Sequence, residues 1–126
     1  MKLLWSVLVA FVIVLGLGVW ANIQLNTSTT GLVQKIDHIE SDISNQRWDH
    51  AYKNTLAFEK AWGENAKWWP TILDHQEMDN IEFSLAKFKE YVAEKNNVLS
   101  LAQLSELKLM IRHIPEKEAI SLQNIF

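Results

Sequence analysis

The chain has 126 residues, a net charge of −3 and no cysteine. Its length holds one small domain once the apolar N-terminus is set aside. The missing cysteine excludes disulfides, thiol nucleophiles, iron–sulfur clusters, thiolate zinc sites and a lipidated N-terminal cysteine. The acidic balance, without a run of Lys or Arg, excludes the electrostatic footprint of a nucleic-acid binder.

From Leu3 to Ala21 the sequence LLWSVLVAFVIVLGLGVWA carries no charge. About nineteen helical residues rising 1.5 Å each span the ~30 Å hydrocarbon core of a bilayer. The run is longer than the ~7–15-residue core of a secretory signal, and Trp5 and Trp20 stand near its two ends, where indole rings anchor at interfaces. A retained single-pass anchor is therefore expected, the alternative being cleavage after Ala21, where Val19-Trp20-Ala21 fits a small-x-Ala pattern. Lys2 precedes the span and no charge follows it before Lys35. The positive-inside rule then places the N-terminus in the cytoplasm and exports the rest from the cell membrane. The division expected is an anchor over residues 1–25, a polar spacer over 26–31 within the Ser/Thr-rich Asn22–Gly31 stretch, and an exported helical domain over 32–126. The Asn26-Thr27-Ser28 sequon would mean nothing if the protein is bacterial.

In the exported part, Leu32, Ile36, Ile39 and Ile43 recur at helical spacing and predict a first amphipathic helix. A second is predicted over about 46–68, with Trp48, Tyr52, Thr55, Phe58, Trp62 and Trp69 near one stripe. Gly63 inside it marks a close helix contact or a local break. Pro70 either starts a third helix or kinks a continuous one. That third helix is predicted over about 71–94, its inward stripe being His75, Met78, Ile81, Leu85, Phe88 and Val92. A fourth, over 98–113, turns Leu101, Leu104, Leu107, Ile111 and Ile114 inward and stops at Pro115. The tail is read as one short helix docking Ile120, Leu122, Ile125 and Phe126. Nothing alternates as a strand would. The expected fold is all-α: one N-terminal transmembrane helix and a compact antiparallel bundle of about four helices.

The chemically unusual stretch is WWPTILDHQEMDNIE, residues 68–82, where a histidine falls on the face expected to be buried. His75, Asp79 and Glu82 are four and then three residues apart, so they share one side of a helix; Asp74 and Glu77 point more to the side. Such a trio suits either a metal or a structural polar cluster paired with Thr55, Tyr52 and the indole N–H groups. No histidine has Glu three residues before it and no His-Glu-x-x-His occurs, which disfavours metal. Gly-x-Ser-x-Gly is absent. Of four glycines, Gly16 and Gly18 lie in the span, and the two that remain, Gly31 and Gly63, are too far apart for a phosphate loop. No catalytic residue, metal or cofactor is therefore expected, and no nucleotide or nucleic-acid partner. Tryptophans at helical spacing are mostly core, but adjacent Trp68 and Trp69 diverge by about 100° on a helix, so one of them suits a contact surface.

Trp48 with Ala51, Trp62, the pattern W-x-x-I-L-D-H-x-E-x-D-x-I-E over 69–82 and the ending SLQNIF together resemble the uncharacterised domain-of-unknown-function family numbered four-three-six-three. The resemblance covers nearly the whole chain, with Asp74, His75, Glu77, Asp79 and the Asn-Ile-Phe ending its most specific parts. It implies a small membrane-anchored helical protein of spore-forming bacteria, clostridia and bacilli, beside an integral membrane partner, and it brings no activity. The function expected is a non-enzymatic accessory or interaction module for another envelope protein. Its contact face would draw on Trp68, Trp69, Asp74, His75, Glu77, Asp79 and Glu82. The alternative is a metal- or small-ligand-binding protein, or a weak hydrolase, built on His75, Asp79 and Glu82.

Overall fold

The computed structural model describes residues 1–69 and 73–125, with 117–125 described as backbone. Four helices follow in order: α1, Lys2–Ser44; α2, Trp48–Ala66; α3, His75–Ala93; and α4, Asn97–Ile125. The described residues contain no strand. Helix α1 packs against α2 and α4, and α3 packs against the same two, which makes a four-membered ring. Cross-links fix the directions: Asp42 to Asn54, Glu59 to Lys89, Ser84 to Gln103 and Asp37 to Lys108. With turns of only three residues at 45–47 and 94–96, and with Asp42 and Asp37 late in α1 meeting the first halves of α2 and α4, these neighbours are antiparallel.

The apolar run, long enough to cross a membrane, and the first bundle helix are one element. Residues 1–17 are all exposed, while from Leu25 onward one stripe is buried: Leu25, Thr29, Leu32, Ile36, Ile39 and Ile43. Asn22–Gly31, read from sequence as a spacer, is thus helical. Its polar side chains bond back onto the helix: Asn26 Nδ2 donates to the Asn22 carbonyl, Thr27 Oγ1 to that of Ile23 and Thr29 Oγ1 to that of Leu25, each at 2.9 Å. Hydroxyls satisfied within the helix no longer compete with it. Buried Thr29 extends the stripe that sequence reading began at Leu32.

Two turns at the far end of the bundle are built alike. After α1, Gln46 takes φ 58°, its N–H donating to the Ile43 carbonyl while that of Arg47 reaches Asp42. After α3, Lys95 takes φ 56°, its N–H donating to Val92 while that of Asn96 reaches Tyr91. Both are Schellman motifs with a non-glycine residue in the left-handed position. Asn96 then caps α4, accepting from the Leu99 N–H at 2.9 Å. The first turn is also pinned by Asp42, 7 % exposed, which accepts from Arg47 Nε at 3.2 Å and Asn54 Nδ2 at 2.7 Å.

Four sequence expectations change. Gly63 neither breaks α2 nor meets a close neighbour, because a Cβ built there touches nothing within 4 Å. Pro115 does not stop α4, which continues to Ile125 and gives up one backbone hydrogen bond at the proline. Tyr52 sits at the rim, 38 % exposed, and wholly buried Ser100 lines the core one position before half-buried Leu101. The alternatives offered for Pro70, and the docking of Ile120, Leu122, Ile125 and Phe126, fall outside the described residues.

Candidate functional site

The stretch that stands out in the sequence forms the corner between α2 and α3, at the bundle end nearer the apolar span. Three tryptophans meet there edge to face. The Trp62 and Trp69 centroids lie 5.3 Å apart at 78°, and those of Trp68 and Trp69 lie 6.1 Å apart at 80°. Trp69 is wholly buried and Trp62 nearly so, whereas Trp68 is half-buried. Divergence of the adjacent pair therefore sends Trp69 into the core and leaves Trp68 partly outside. Among the described residues, the buried Nε1 groups of Trp62 and Trp69 have no hydrogen-bond acceptor. Edge-to-face stacking of quadrupoles favours such an array.

Helix α3 begins with a side-chain cap, the Glu77 N–H donating to Asp74 Oδ1 at 2.7 Å. The cap places His75 at the first helical position, where it is exposed. This overturns the expectation of a buried histidine. Leu73, just ahead of the cap, is buried instead, so the inward stripe of α3 starts at Met78. Asp79 and Glu82 are exposed as well. His75, Asp79 and Glu82 do keep to one side of α3, as their spacing requires, but that side faces outward and toward α2. Among the described residues, no three His, Asp or Glu side chains converge as a metal site would need.

The acids of this stretch also divide between two hollows. Glu82 lines an open groove of about 370 Å³ between α2 and α3, with Glu59, Trp62, Gly63, Ala86 and Lys89. Lys89 crosses it to Glu59 at 3.1 Å, and the hydrogen bond and charge of Glu59 hold the Lys89 ammonium above the ordinary lysine range. Glu77, half-buried, lines a cavity of about 100 Å³ between α3 and α4, with Asn80, Met110 and His113. That volume falls well short of the ~300–1,000 Å³ of small-molecule sites. His113 went unnoticed in the sequence because it belongs to another helix. The antiparallel register that pairs Ser84 with Gln103 brings residue 77 opposite 110, and only that register reveals the neighbour.

The chain matches the family described as Domain of unknown function (DUF4363) over residues 19–125. It belongs to that family. The DUF4363 match starts near the C-terminal end of the apolar run and takes in the whole bundle, so the corner, both hollows and the continuous part of α1 all lie within it. No curated protein and no solved structure matches the chain. Membership in DUF4363 thus agrees with the resemblance read from the Trp69–Glu82 pattern and adds no reaction to it.

Proposed function

We propose that this DUF4363 chain is a single-pass accessory module of the bacterial envelope, non-enzymatic, which uses the outward side of early α3 to hold another envelope protein. The anchor comprises residues 1–25, and the domain from residue 32 onward is carried outside the cytoplasmic membrane, joined to the anchor through helical 26–31. Lys2 ahead of the span and no charge behind it before Lys35 support that orientation. The observation that carries the reading is a local charge imbalance. Residues 74–82 hold Asp74, Glu77, Asp79 and Glu82 with no Lys or Arg among them. Among the described residues, the ion pairs engage Asp37, Asp42 and Glu59, whereas exposed Asp74, Asp79 and Glu82 form none. A solvated acidic face suits a partner that presents Lys or Arg.

The test is extraction of the tagged full-length protein in mild detergent, with identification of what co-purifies at low and high salt. A stoichiometric envelope protein, released by salt and lost from an Asp79→Asn/Glu82→Gln variant that remains folded, is the expected result. Recovery of the same protein by the variant, or no stoichiometric protein from either, refutes the reading.

A further inference from the structure

Helix α4 reaches further toward the apolar run than α2 or α3, and its register against α1 fixes how far. Lys108 Nζ meets Asp37 Oδ1 at 2.6 Å, and since the two helices are antiparallel, each step forward on α4 matches one step back on α1. A hollow lined jointly by Thr29, Thr30, Pro115 and Glu116 shows the same register held as far as the proline. Continued, it sets residue 120 level with Leu25 and residue 125 level with Trp20. Leu25 is wholly buried, and α4 is the helix that reaches its level. The Asp42–Asn54 bond, by contrast, leaves the end of α2 level with about residue 30.

Charge stops at a common level across these helices. On the side of the bundle toward the apolar run, the last charged positions are Lys67 after α2, Asp74 before α3, and Glu116, Lys117 and Glu118 on α4. The registers through Asn54, Gln103 and Lys108 put all of them beside about residues 27–32 of α1. Past that level α4 continues helical to Ile125 with no charged residue, and α1 has none between Lys35 and Lys2. If Ala21 marks the outer face of a ~30 Å hydrocarbon core, residue 120 lies about 6 Å above that face and residue 125 at it. The headgroup layer is itself roughly 5–7 Å deep on each side. Charged groups pay to approach hydrocarbon, so an uncharged helix end is what this depth accepts.

We propose that residues 120–125 of α4 are a second membrane contact, seated among the phospholipid headgroups of the bilayer that α1 spans. The contact rests on the anchoring of α1 under the proposed function and needs no protein partner. The chain then meets the membrane at two places, its span and the end of α4.

The chain has no cysteine, so a single-cysteine variant carries one small fluorophore at a known level. Full-length Ser6→Cys, Ser105→Cys and Ser121→Cys proteins, each matching the parent by circular dichroism, are labelled and reconstituted in phosphatidylcholine vesicles, with and without a headgroup-nitroxide phosphatidylcholine. Ser105 is exposed on the same helix, about 24 Å further from the membrane than Ser121. The nitroxide should remove most of the fluorescence at Ser6 and Ser121 and little at Ser105. Adding Gln123→Asp to Ser121→Cys places a carboxylate near the hydrocarbon boundary and should weaken the loss, whereas Gln123→Asn should keep it. Loss at Ser6 without loss at Ser121 overturns the contact and leaves the anchor standing. No loss at Ser6 overturns the anchor and the contact together. Equal loss at Ser121 and Ser105 means that the bundle lies along the surface, which overturns the proposal. A loss at Ser121 indifferent to Gln123→Asp is proximity without contact and overturns it as well.

Discussion

Replacing Gln46 and Lys95 with glycine should stabilise the bundle. Both residues hold positive φ, 58° and 56°, where a Cβ crowds the following carbonyl. Both are exposed, and among the described residues neither side chain makes a hydrogen bond. Relief of the left-handed conformation is worth about 1–2 kcal/mol per residue. Glycine's greater freedom in the unfolded chain takes back about 0.5–1 kcal/mol. The net is a gain of about 0.5–1 kcal/mol at each site, or about 1–2 kcal/mol for the pair if the two turns act independently. For a domain of roughly a hundred residues, each kcal/mol raises Tm by about 4–8 °C. Circular-dichroism melting of the full-length protein in detergent reads this directly. Asn45→Gly is the control, because Asn45 has φ −95° and its Nδ2 donates to the Ser41 carbonyl at 2.8 Å. It should lower Tm. If Gln46→Gly and Lys95→Gly lower Tm too, the reasoning from backbone conformation is wrong.

Gly63→Ala should stabilise α2 by about 0.5–1 kcal/mol, since the helix is continuous there and the added methyl meets open space; urea unfolding at constant slope checks it. Asp42→Ala should cost about 1.5–3 kcal/mol, because it strips Asn54 and Arg47 of a buried charged acceptor; the same unfolding experiment measures it, and a neutral result would show that the first turn holds without its carboxylate. Lys89 has a folded pKa raised above its ordinary value by Glu59, so its contribution is complete below the unfolded lysine range and is lost as pH climbs through the raised value. With the pair partly exposed, that contribution is below about 1 kcal/mol and falls with salt. Lys89→Gln should therefore melt slightly lower than the parent near neutral pH and converge with it at strongly alkaline pH.

Helix existence was legible because apolar residues at helical spacing bury a face whatever the tertiary context, and the inward stripes of α1, α3 and α4 read off the sequence are largely those found. Continuity was not legible. Thr29 counts as polar by composition, yet its hydroxyl is satisfied by the Leu25 carbonyl, so it joins a buried stripe. Pro115 reads as a stop, yet α4 passes it alongside an antiparallel α1. His75 shows the opposite error. Periodicity extended the α3 stripe one position too far, and the competing signal was Asp74, an N-cap residue whose partner Glu77 lies three residues on. A cap at Asp74 makes His75 the first helical residue and frees it from the core. The groove beside Glu82 and the cavity beside Glu77 arise from packing between helices, which no single-helix pattern contains.

A helix that runs from an apolar stretch into a folded domain without a joint is a lever. From Ala21 to Ser44, α1 runs about 35 Å at 1.5 Å per residue. A tilt of the span by about 20°, ordinary for such helices, swings the far turn sideways by roughly 12 Å. Small adjustments of the span to bilayer thickness would thus appear, enlarged, at Gln46 and Lys95.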